Sequence, residues 1–305
     1  MASYLAAIAC FAGIYALLAL GLNLVWGLAG LVNLGLAGFF AFGAYASALA
    51  TVKLGWPIAG GMALGFVVAA LAGALLMLVT LRLRGDYLAI ITLGFAEAVR
   101  LVASNEIWLT RGTDGISGIP GPWRGALSTA QFNGVFLALT VLAVALVLWL
   151  LERLRASAYG RVLRAIRDDD QVAAVAGKYV ARFKVEAFAI ASGIMGLAGA
   201  LYGHFTSYVA PDLFTPIITI YIFLAVTAGG VGNNFGAVLG AVVVMMALEG
   251  TRFIAEALPG LAGAQTAALR EAVIGILLLL IMRLRPQGLL PEPRYRHPTV
   301  LRIKS

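Results

Sequence analysis

Nine runs of mostly apolar residues recur along this chain, and most are close to 20 residues long. A helix needs about 20 apolar residues to cross the roughly 30 Å hydrocarbon core of a bilayer. Backbone groups in lipid must bond within their own segment, and no alternating barrel pattern occurs, so helices are the expected elements. The sequence therefore predicts an all-α polytopic integral membrane protein with about nine transmembrane helices, and eight to ten also agree with the pattern. The predicted spans are 4–25, 31–51, 58–81, 86–104, 132–151, 185–203, 216–229, 236–252 and 268–283.

The composition agrees with this class, because 62% of the residues are hydrophobic and only 12% are charged. Such a balance excludes an ordinary soluble domain, so we expect one membrane domain over residues 1–305. The N-terminus lacks the basic start of a signal peptide, and no cleaved leader is expected. The single cysteine, Cys10, lies in the first apolar run and excludes a disulfide within the chain. Loops that face anionic lipid and the cytoplasm explain the net charge of +8, without nucleic acid as a partner.

The distribution of basic residues predicts the orientation of the spans. Segments 82–84, 152–184 and 283–305 contain two, eight and six of the 22 Lys and Arg residues. Alternation through the spans places all three segments on one side, and the positive-inside rule makes that side cytoplasmic. We therefore expect a cytoplasmic loop at 152–184, a cytoplasmic C-terminal tail at 284–305 and an extracytoplasmic loop at 106–131. Nine spans would leave the N-terminus outside.

Several chemical motifs are missing from the sequence. There is no G-x-x-x-x-G-K-[ST] phosphate loop, no H-E-x-x-H metal motif and no G-x-S-x-G nucleophile motif. We therefore predict no catalytic residue, no metal site and no ATP site in this chain.

Ionisable residues inside spans cost about 2.5–3.5 kcal/mol each, so they are candidates for function. Glu97 and Arg100 lie three residues apart on one helix face, and Glu249 and Arg252 repeat the spacing. Two interpretations remain open: a polar pathway or gate, or two structural ion pairs near the membrane edges. The candidate pathway residues are Asn23, Asn33, Thr92, Glu97, Arg100, Asn233, Asn234 and Glu249.

Glycine-rich stretches at 21–43 and 229–241 interrupt two hydrophobic runs at matching cytoplasmic-side turns. Paired, glycine-broken segments in two halves of a chain are typical of transport pathways. Close helix packing alone is the alternative for most of these glycines, including the cluster at 193–203.

The stretch 106–125 carries five glycines, two prolines and a tryptophan near each end. Glycine and proline disfavour a regular helix, while tryptophan favours the membrane interface. We expect an ordered loop at the mouth of the spans, serving either as a connector or as a docking surface.

The segment 152–184 concentrates eight basic and four acidic residues. Ser157 is predicted to cap a first helix that runs through Arg167, Asp170 to cap a second, and Gly177 to end it. The result is a compact helical element that suits protein docking. A polybasic lipid-binding loop is the alternative, but the acidic triplet 168–170 would repel an anionic leaflet.

Three stretches resemble a known family. "RGDYLAIITLGFAEAVRLV" (84–102), "LTRGTDGISGIPGP" (109–122) and "YGRVLRAIRDDDQVAAVAGKYVARFKVEAFAIASGIMGLAGALYG" (159–203) are similar to permease subunits of branched-chain amino acid ABC importers, specifically the M-type of the two paired permeases. The chain departs from the family pattern at 229–241, where Asn233-Asn234 stands in place of the usual Gly-Ser. This departure bears on the substrate more than on the fold.

The resemblance implies an inner-membrane permease subunit that forms the translocation path with a second homologous permease. It also implies two ATP-binding cassette subunits that bind ATP–Mg, a periplasmic solute-binding protein that docks on the extracytoplasmic loop, and no cofactor on this chain. A coupling helix would contact the ATPase. The coupling residues that it implies are Arg161, Arg164, Arg167, Asp168, Asp169, Asp170, Ala173, Ala174 and Gly177.

Two other functions are alternatives to this one. One is an ion-coupled secondary transporter of small polar solutes, for which only Glu97 and Glu249 are eligible intramembrane acids. The other is the same permease type carrying urea or amides. A membrane-embedded enzyme is disfavoured by the missing motifs.

Overall fold

The computed structural model describes residues 2–83, 85–257, 263–285 and 287–292, and most of these residues are helical. The helices are α1 (Ala2–Leu22, continued by a π-helical turn, Asn23–Leu28), α2 (Leu36–Val52), α3 (Ile58–Thr80), α4 (Asp86–Asn105), α5 (Ile107–Thr110), α6 (Thr129–Ala156), α7 (Ala158–Asp168), α8 (Asp170–Val175), α9 (Val180–Thr206), α10 (Pro216–Gly229), α11 (Asn234–Ala257) and α12 (Gly263–Leu284). Two short strands, β1 (Ile116–Ser117) and β2 (Tyr208–Val209), pair antiparallel. Single 3₁₀ turns lie at Gly112–Asp114 and Pro211–Leu213.

Each predicted apolar run coincides with a described helix. Within the described part of the chain, six helical segments are long and apolar enough to cross a membrane, and they contain α1, α3, α4, α6, α9 and α10. Helix α2 and the first part of α11 are apolar but shorter. The predicted helical, multi-span class is confirmed, while the number of about nine spans stays a prediction.

The core of the bundle is the contact between α2, α3 and α9. Glycines on all three helices meet there, and a Cβ atom added to Gly43 or Gly199 would clash with backbone of the neighbouring helix. Gly196 likewise faces Gly65, whose backbone oxygen would lie 2.6 Å from an added Cβ. Because helices in lipid gain little from apolar burial, close backbone approach supplies much of their attraction. The predicted packing role of the glycine cluster at 193–203 is confirmed.

One end of the bundle gathers the basic segments. A polar cleft of about 360 Å³ is lined there by residues including Gly30, Leu83, Arg167 and Lys184. Glu292 accepts hydrogen bonds from Arg167 at 3.2 Å, which brings the start of the tail to the same end. The described parts of the three basic segments therefore share one end of the bundle, as the alternation of spans requires. Arg84 and residues 293–305 lie outside the described part of the chain.

The opposite end carries the loop that begins at residue 106. Strand β1 of this loop pairs with β2, with Ile116 opposite Val209. Lys53, from the α2–α3 turn, donates hydrogen bonds to the carbonyl groups of Trp108 and Leu109 at 3.1 and 3.0 Å. The loop is ordered by these contacts, as predicted.

Candidate functional site

The two glycine-broken segments touch each other inside the bundle. Asn23, in the π-helical turn after α1, donates its side-chain amide to Oδ1 of Asn234 at 2.8 Å. Its own Oδ1 accepts the backbone N–H of Gly232 at 2.8 Å. Both asparagines are buried, and Gly27 lies so close to Gly232 that a Cβ would be 2.7 Å from its backbone nitrogen. The two predicted breaks are thus joined by direct polar contacts, which the sequence did not predict.

This contact continues toward the predicted coupling loop. The amide of Asn234 donates to Oε1 of Glu152 at 3.0 Å, and Arg155 donates to Oε2 of Glu152 at 2.6 Å. The backbone oxygen of Arg155 in turn accepts a hydrogen bond from Arg164 in α7 at 3.2 Å. We call Asn23, Asn234, Glu152 and Arg155 the polar chain. It connects both broken segments to α7.

Glu152 was not predicted as a site residue. Its signal in the sequence is the spacing to Arg155, which repeats the three-residue interval of Glu97 and Arg100. Glu152 and Arg155 lie at the end of an apolar run, where the simplest interpretation is that both side chains are in water. The role of Glu152 is visible only from its hydrogen bond with Asn234 in the structure.

Asn23→Ala should lower the free energy of unfolding by about 1–3 kcal/mol, because the buried N–H of Gly232 loses its acceptor. The melting temperature of the detergent-purified protein measures this. Asn105→Ala is the matched control, since the exposed amide of Asn105 donates to the Leu101 carbonyl of its own helix. Equal melting temperatures for wild type and Asn23→Ala would show that the contact between the broken segments does not form.

A second polar group surrounds the non-helical segment 29–35. The N–H of Leu34 donates to Oγ1 of Thr92 at 2.9 Å, and Oγ1 of Thr219 donates to the Leu34 carbonyl at 3.3 Å. Asn33 accepts the N–H of Gly35 at 2.8 Å, while its buried side-chain nitrogen has no hydrogen-bond partner among the described residues. The structure thus places Asn33 and Thr92 together, as two of the predicted pathway residues. Thr219 was missed, because a lone threonine in an apolar run gives no signal.

The remaining predicted pathway residues lie apart from these groups. Nε of Arg100 donates to Oε2 of Glu97 at 3.0 Å, which confirms their pairing. Glu97 is near the midpoint of α4 rather than at an edge. Glu249 accepts a hydrogen bond from the hydroxyl of Tyr4 at 2.9 Å. The side chain of Arg252 lies outside the described residues.

Asn233 has a local structural role. Its Oδ1 accepts the backbone N–H groups of Phe235 and Gly236 at 3.0 and 3.2 Å, which caps the start of α11. Its amide donates to the carbonyl of Pro291 at 3.1 Å and holds the start of the tail. Its use as a pathway residue stays a prediction.

The segment between α6 and α9 folds as two short helices. Ser157 accepts the N–H of Gly160 at 3.4 Å and caps α7, which confirms the predicted cap, and α7 ends one residue beyond Arg167. Gly177 adopts φ +77° and donates to the Ala174 carbonyl, while Lys178 donates to that of Ala173. This pair of bonds is the glycine-terminated Schellman arrangement, so the predicted end of α8 is also confirmed.

The predicted cap of α8 is wrong by one residue. Asp169, not Asp170, accepts the N–H groups of Gln171 and Val172, at 2.9 and 3.1 Å. Asp170 instead pairs with Lys184 of α9 at 2.9 Å, and the two side chains are only 16% and 8% exposed. This ion pair holds α8 against α9, and the tertiary contact decides which aspartate is free to cap.

Helix α8 and the turn that follows it expose three large apolar side chains. Val172, Val175 and Tyr179 are 64%, 91% and 73% exposed, and we call them the docking tip. Arg161 and Asp168 of α7 are exposed polar residues. Arg167 is turned inward and donates to the backbone oxygen of Gly27. The charges of this segment dominate its sequence pattern, and the exposed apolar residues were not predicted.

Comparison with known proteins identifies the family. The chain matches the family described as "Branched-chain amino acid transport system / permease component" over residues 4–282. The chain belongs to this family. It is 37% identical to the high-affinity branched-chain amino acid transport system permease protein LivM of Salmonella typhimurium over 320 residues, covering 98% of this chain and 72% of the relative. The LivM protein of Escherichia coli is also 37% identical, with 94% and 70% covered.

A second group of relatives is more distant. The permease protein LivH of Escherichia coli, from the transport system of the same name, is 25% identical over 296 residues, which cover 92% of each chain. No solved structure matches the chain. The resemblance found in the sequence is thus confirmed at the level of the permease family.

The opposite end of this permease is organised around His204. This buried histidine contacts the Pro120 carbonyl through Nδ1 at 2.6 Å and the Ser47 hydroxyl through Nε2 at 2.8 Å. Since a carbonyl only accepts, Nδ1 carries the proton. Trp108 and Trp123 are 75% and 69% exposed at the surface of the loop. The two hydrogen bonds of His204 connect α9 to α2 and to the loop. Among the described residues no group of His, Cys, Asp and Glu could hold a metal ion.

Proposed function

We propose that this chain is one permease subunit of an ATP-driven importer for branched-chain or related amino acids in a bacterial inner membrane. The observation that carries the proposal is the folded element α7–α8, which presents an apolar docking tip at the basic end of the bundle. A loop that bound lipid through charge alone would need no buried Asp170–Lys184 pair to hold its shape. Membership of the permease family supplies the transport context.

The proposed topology has about nine spans in a single transmembrane domain over residues 1–305. The basic end faces the cytoplasm, with the coupling loop at 152–184 and the C-terminal tail at 284–305. The loop at 106–131 faces the periplasm and receives a solute-binding protein.

The proposed complex contains a second homologous permease, two ATP-binding cassette subunits and a periplasmic solute-binding protein, within membrane lipid. Two observations support the pairing of permeases. The chain is similar both to LivM and to LivH, and both names describe permease proteins of one transport system. ATP–Mg binds to the ATPase subunits, and this chain binds no cofactor.

The contacts of the loop support a route for coupling. Val172, Val175 and Tyr179 enter an apolar cleft of the ATPase, with Arg161 and Asp168 at the polar rim. Movement of α7 is transmitted through Arg164 and Arg155 to the polar chain. The polar chain joins the two broken segments, so their separation changes with the position of α7. The shape of this element is maintained by the buried Ala173, the capping Asp169 and the terminating Gly177, whereas Ala174 lies on its exposed surface.

Affinity purification in mild detergent tests the proposal. We expect an ATPase subunit and a second permease to copurify with this chain, and amino acid uptake to stop when cellular ATP is depleted. Uptake that survives ATP depletion without a copurifying ATPase would support an ion-coupled transporter instead. The contacts disfavour that alternative, because Glu97 is paired with Arg100 and Glu249 accepts from Tyr4.

Ligand screening of the solute-binding protein that copurifies or is encoded nearby tests the substrate. Binding of leucine, isoleucine or valine is expected. Binding of urea or amides alone would keep the permease type and change the substrate class.

A further inference from the structure

Helix α4 has two faces of different character. One face is buried against the bundle and contains Leu88, Thr92, Ala96 and Ala103. The opposite face is open in this chain, and we call it the outer α4 face. Its residues are Ile90, Gly94, Glu97, Ala98 and Leu101, of which Ile90 and Leu101 are 65% and 48% exposed.

The outer α4 face carries charge at mid-helix. Glu97 is the twelfth of the 20 residues of α4, and its side chain is 39% exposed beside Arg100 at 24%. Charged side chains near the centre of a spanning helix are costly in lipid and almost always face protein or a water-filled cavity. The exposed pair therefore indicates that lipid does not cover this face.

Other open faces of the bundle provide the comparison. The outward side of α3 presents Leu71 and Leu75, and that of α6 presents Leu142 and Leu146, all more than half exposed. Helix α3 has no ionisable residue, and α6 has none before Glu152. These uncharged apolar surfaces are compatible with contact to lipid, whereas the charged outer α4 face is not.

Gly94 is a second, independent feature of the face. It lies within a helix, where glycine is unfavourable relative to alanine. A Cβ atom added to Gly94 would meet nothing within 4 Å, so no contact inside this chain requires a glycine there. Small residues in spanning helices allow a neighbouring helix to approach closely. Gly94 and Ala98 are four residues apart and form such a small patch next to Glu97.

We propose that the outer α4 face is the surface on which the second permease subunit packs, so that the Glu97–Arg100 pair is buried at the interface between the two permeases. This inference rests on the proposed function, which requires that subunit. The occupant is a homologous chain of the LivH kind rather than a second copy, because the chain is similar to both named permeases of one system. Polar groups of that subunit would then complete the hydrogen bonding of the pair.

Photo-crosslinking in the intact membrane complex tests the surface. Ala98 is replaced by p-benzoylphenylalanine, and Leu142 on the lipid-suited side of α6 is replaced in the same way as the control. Ultraviolet illumination should give an adduct with the second permease from position 98, several-fold more abundant than from position 142. An adduct with lipid alone, or with a second copy of this chain, would overturn the inference.

A substitution provides an independent readout. Gly94→Leu should reduce the amount of second permease that copurifies by several-fold, while this chain is recovered from the membrane at the wild-type level. Gly134→Leu on α6 is the matched control, since Gly134 is exposed and also has no neighbour within 4 Å of an added Cβ. Unchanged copurification with Gly94→Leu would count against the inference.

The outcomes separate this inference from the proposed function. If the second permease copurifies but crosslinks at position 142 and not at position 98, the surface is wrong and the importer proposal stands. If no second permease copurifies with the wild-type chain, the importer proposal fails and the interface with it.

Discussion

Asp170→Ala should abolish ATP-dependent uptake while the chain still inserts in the membrane. The substitution leaves Lys184 charged at a position where its side chain is 8% exposed, and removes the 2.9 Å contact that holds α8 to α9. Removing one partner of a buried ion pair typically costs about 3–5 kcal/mol. A cost of about 3 kcal/mol lowers the population of docked α8 by roughly a hundredfold, since each 1.4 kcal/mol is a factor of ten. Uptake into vesicles and copurification of the ATPase measure the loss.

Two further variants test whether the loss comes from the buried Asp170–Lys184 pair itself. Arg182→Ala breaks an exposed ion pair with Glu186 on the same helix as Lys184; the Arg182 side chain is 72% exposed, and uptake should stay close to wild type. The double variant Asp170→Leu with Lys184→Met replaces the pair by apolar side chains and should recover much of the docking, because no buried charge remains. Full uptake by Asp170→Ala would show that the position of α8 is not needed for transport.

The local features of this fold are readable from sequence because neighbouring residues determine them. The apolar runs are long enough to require helices, and each helix lies where its run predicts. Ser157 and Gly177 act as the predicted start and stop signals, since a cap depends on the few residues around it. Three consecutive aspartates, however, offer three candidate caps. Asp170 is not the cap because it forms an ion pair with Lys184, fourteen residues farther along the chain.

The polar contacts between distant segments are not readable in this way. Asn23 and Asn234 are 211 residues apart, and nothing near either residue shows that they meet. In a membrane protein most helix faces are apolar whether they contact lipid or protein, so hydrophobic periodicity does not reveal which helices are neighbours. The role of Glu152 and the position of Thr219 depend on those neighbours. Exposed apolar residues such as Val175 are equally hidden, because the surrounding charges dominate the pattern.

Gly43→Leu is expected to have the largest effect on folding. Gly43 of α2 faces Gly196 of α9, and a Cβ at residue 43 would overlap backbone atoms of Gly196. Backbone atoms cannot change rotamer to relieve a clash as a side chain can, so α2 and α9 must move apart to accommodate the leucine. Separation also breaks the neighbouring contacts, since the backbone oxygen of Gly43 lies 2.7 Å from the Cβ position of Gly65.

Overpacking of a core typically costs about 1–3 kcal/mol and occasionally more, and a clash with backbone belongs at the upper end of that range. Size-exclusion chromatography after detergent extraction should therefore show little monodisperse Gly43→Leu protein. Gly275→Leu in α12 is the matched control, because Gly275 is exposed and an added Cβ meets nothing within 4 Å, and its yield should equal that of wild type. If Gly43→Leu were recovered as well as the control, α2 and α9 would not be in glycine-mediated contact. The packing of α2 on α9 would then not determine the position of the non-helical segment 29–35, which runs directly into α2.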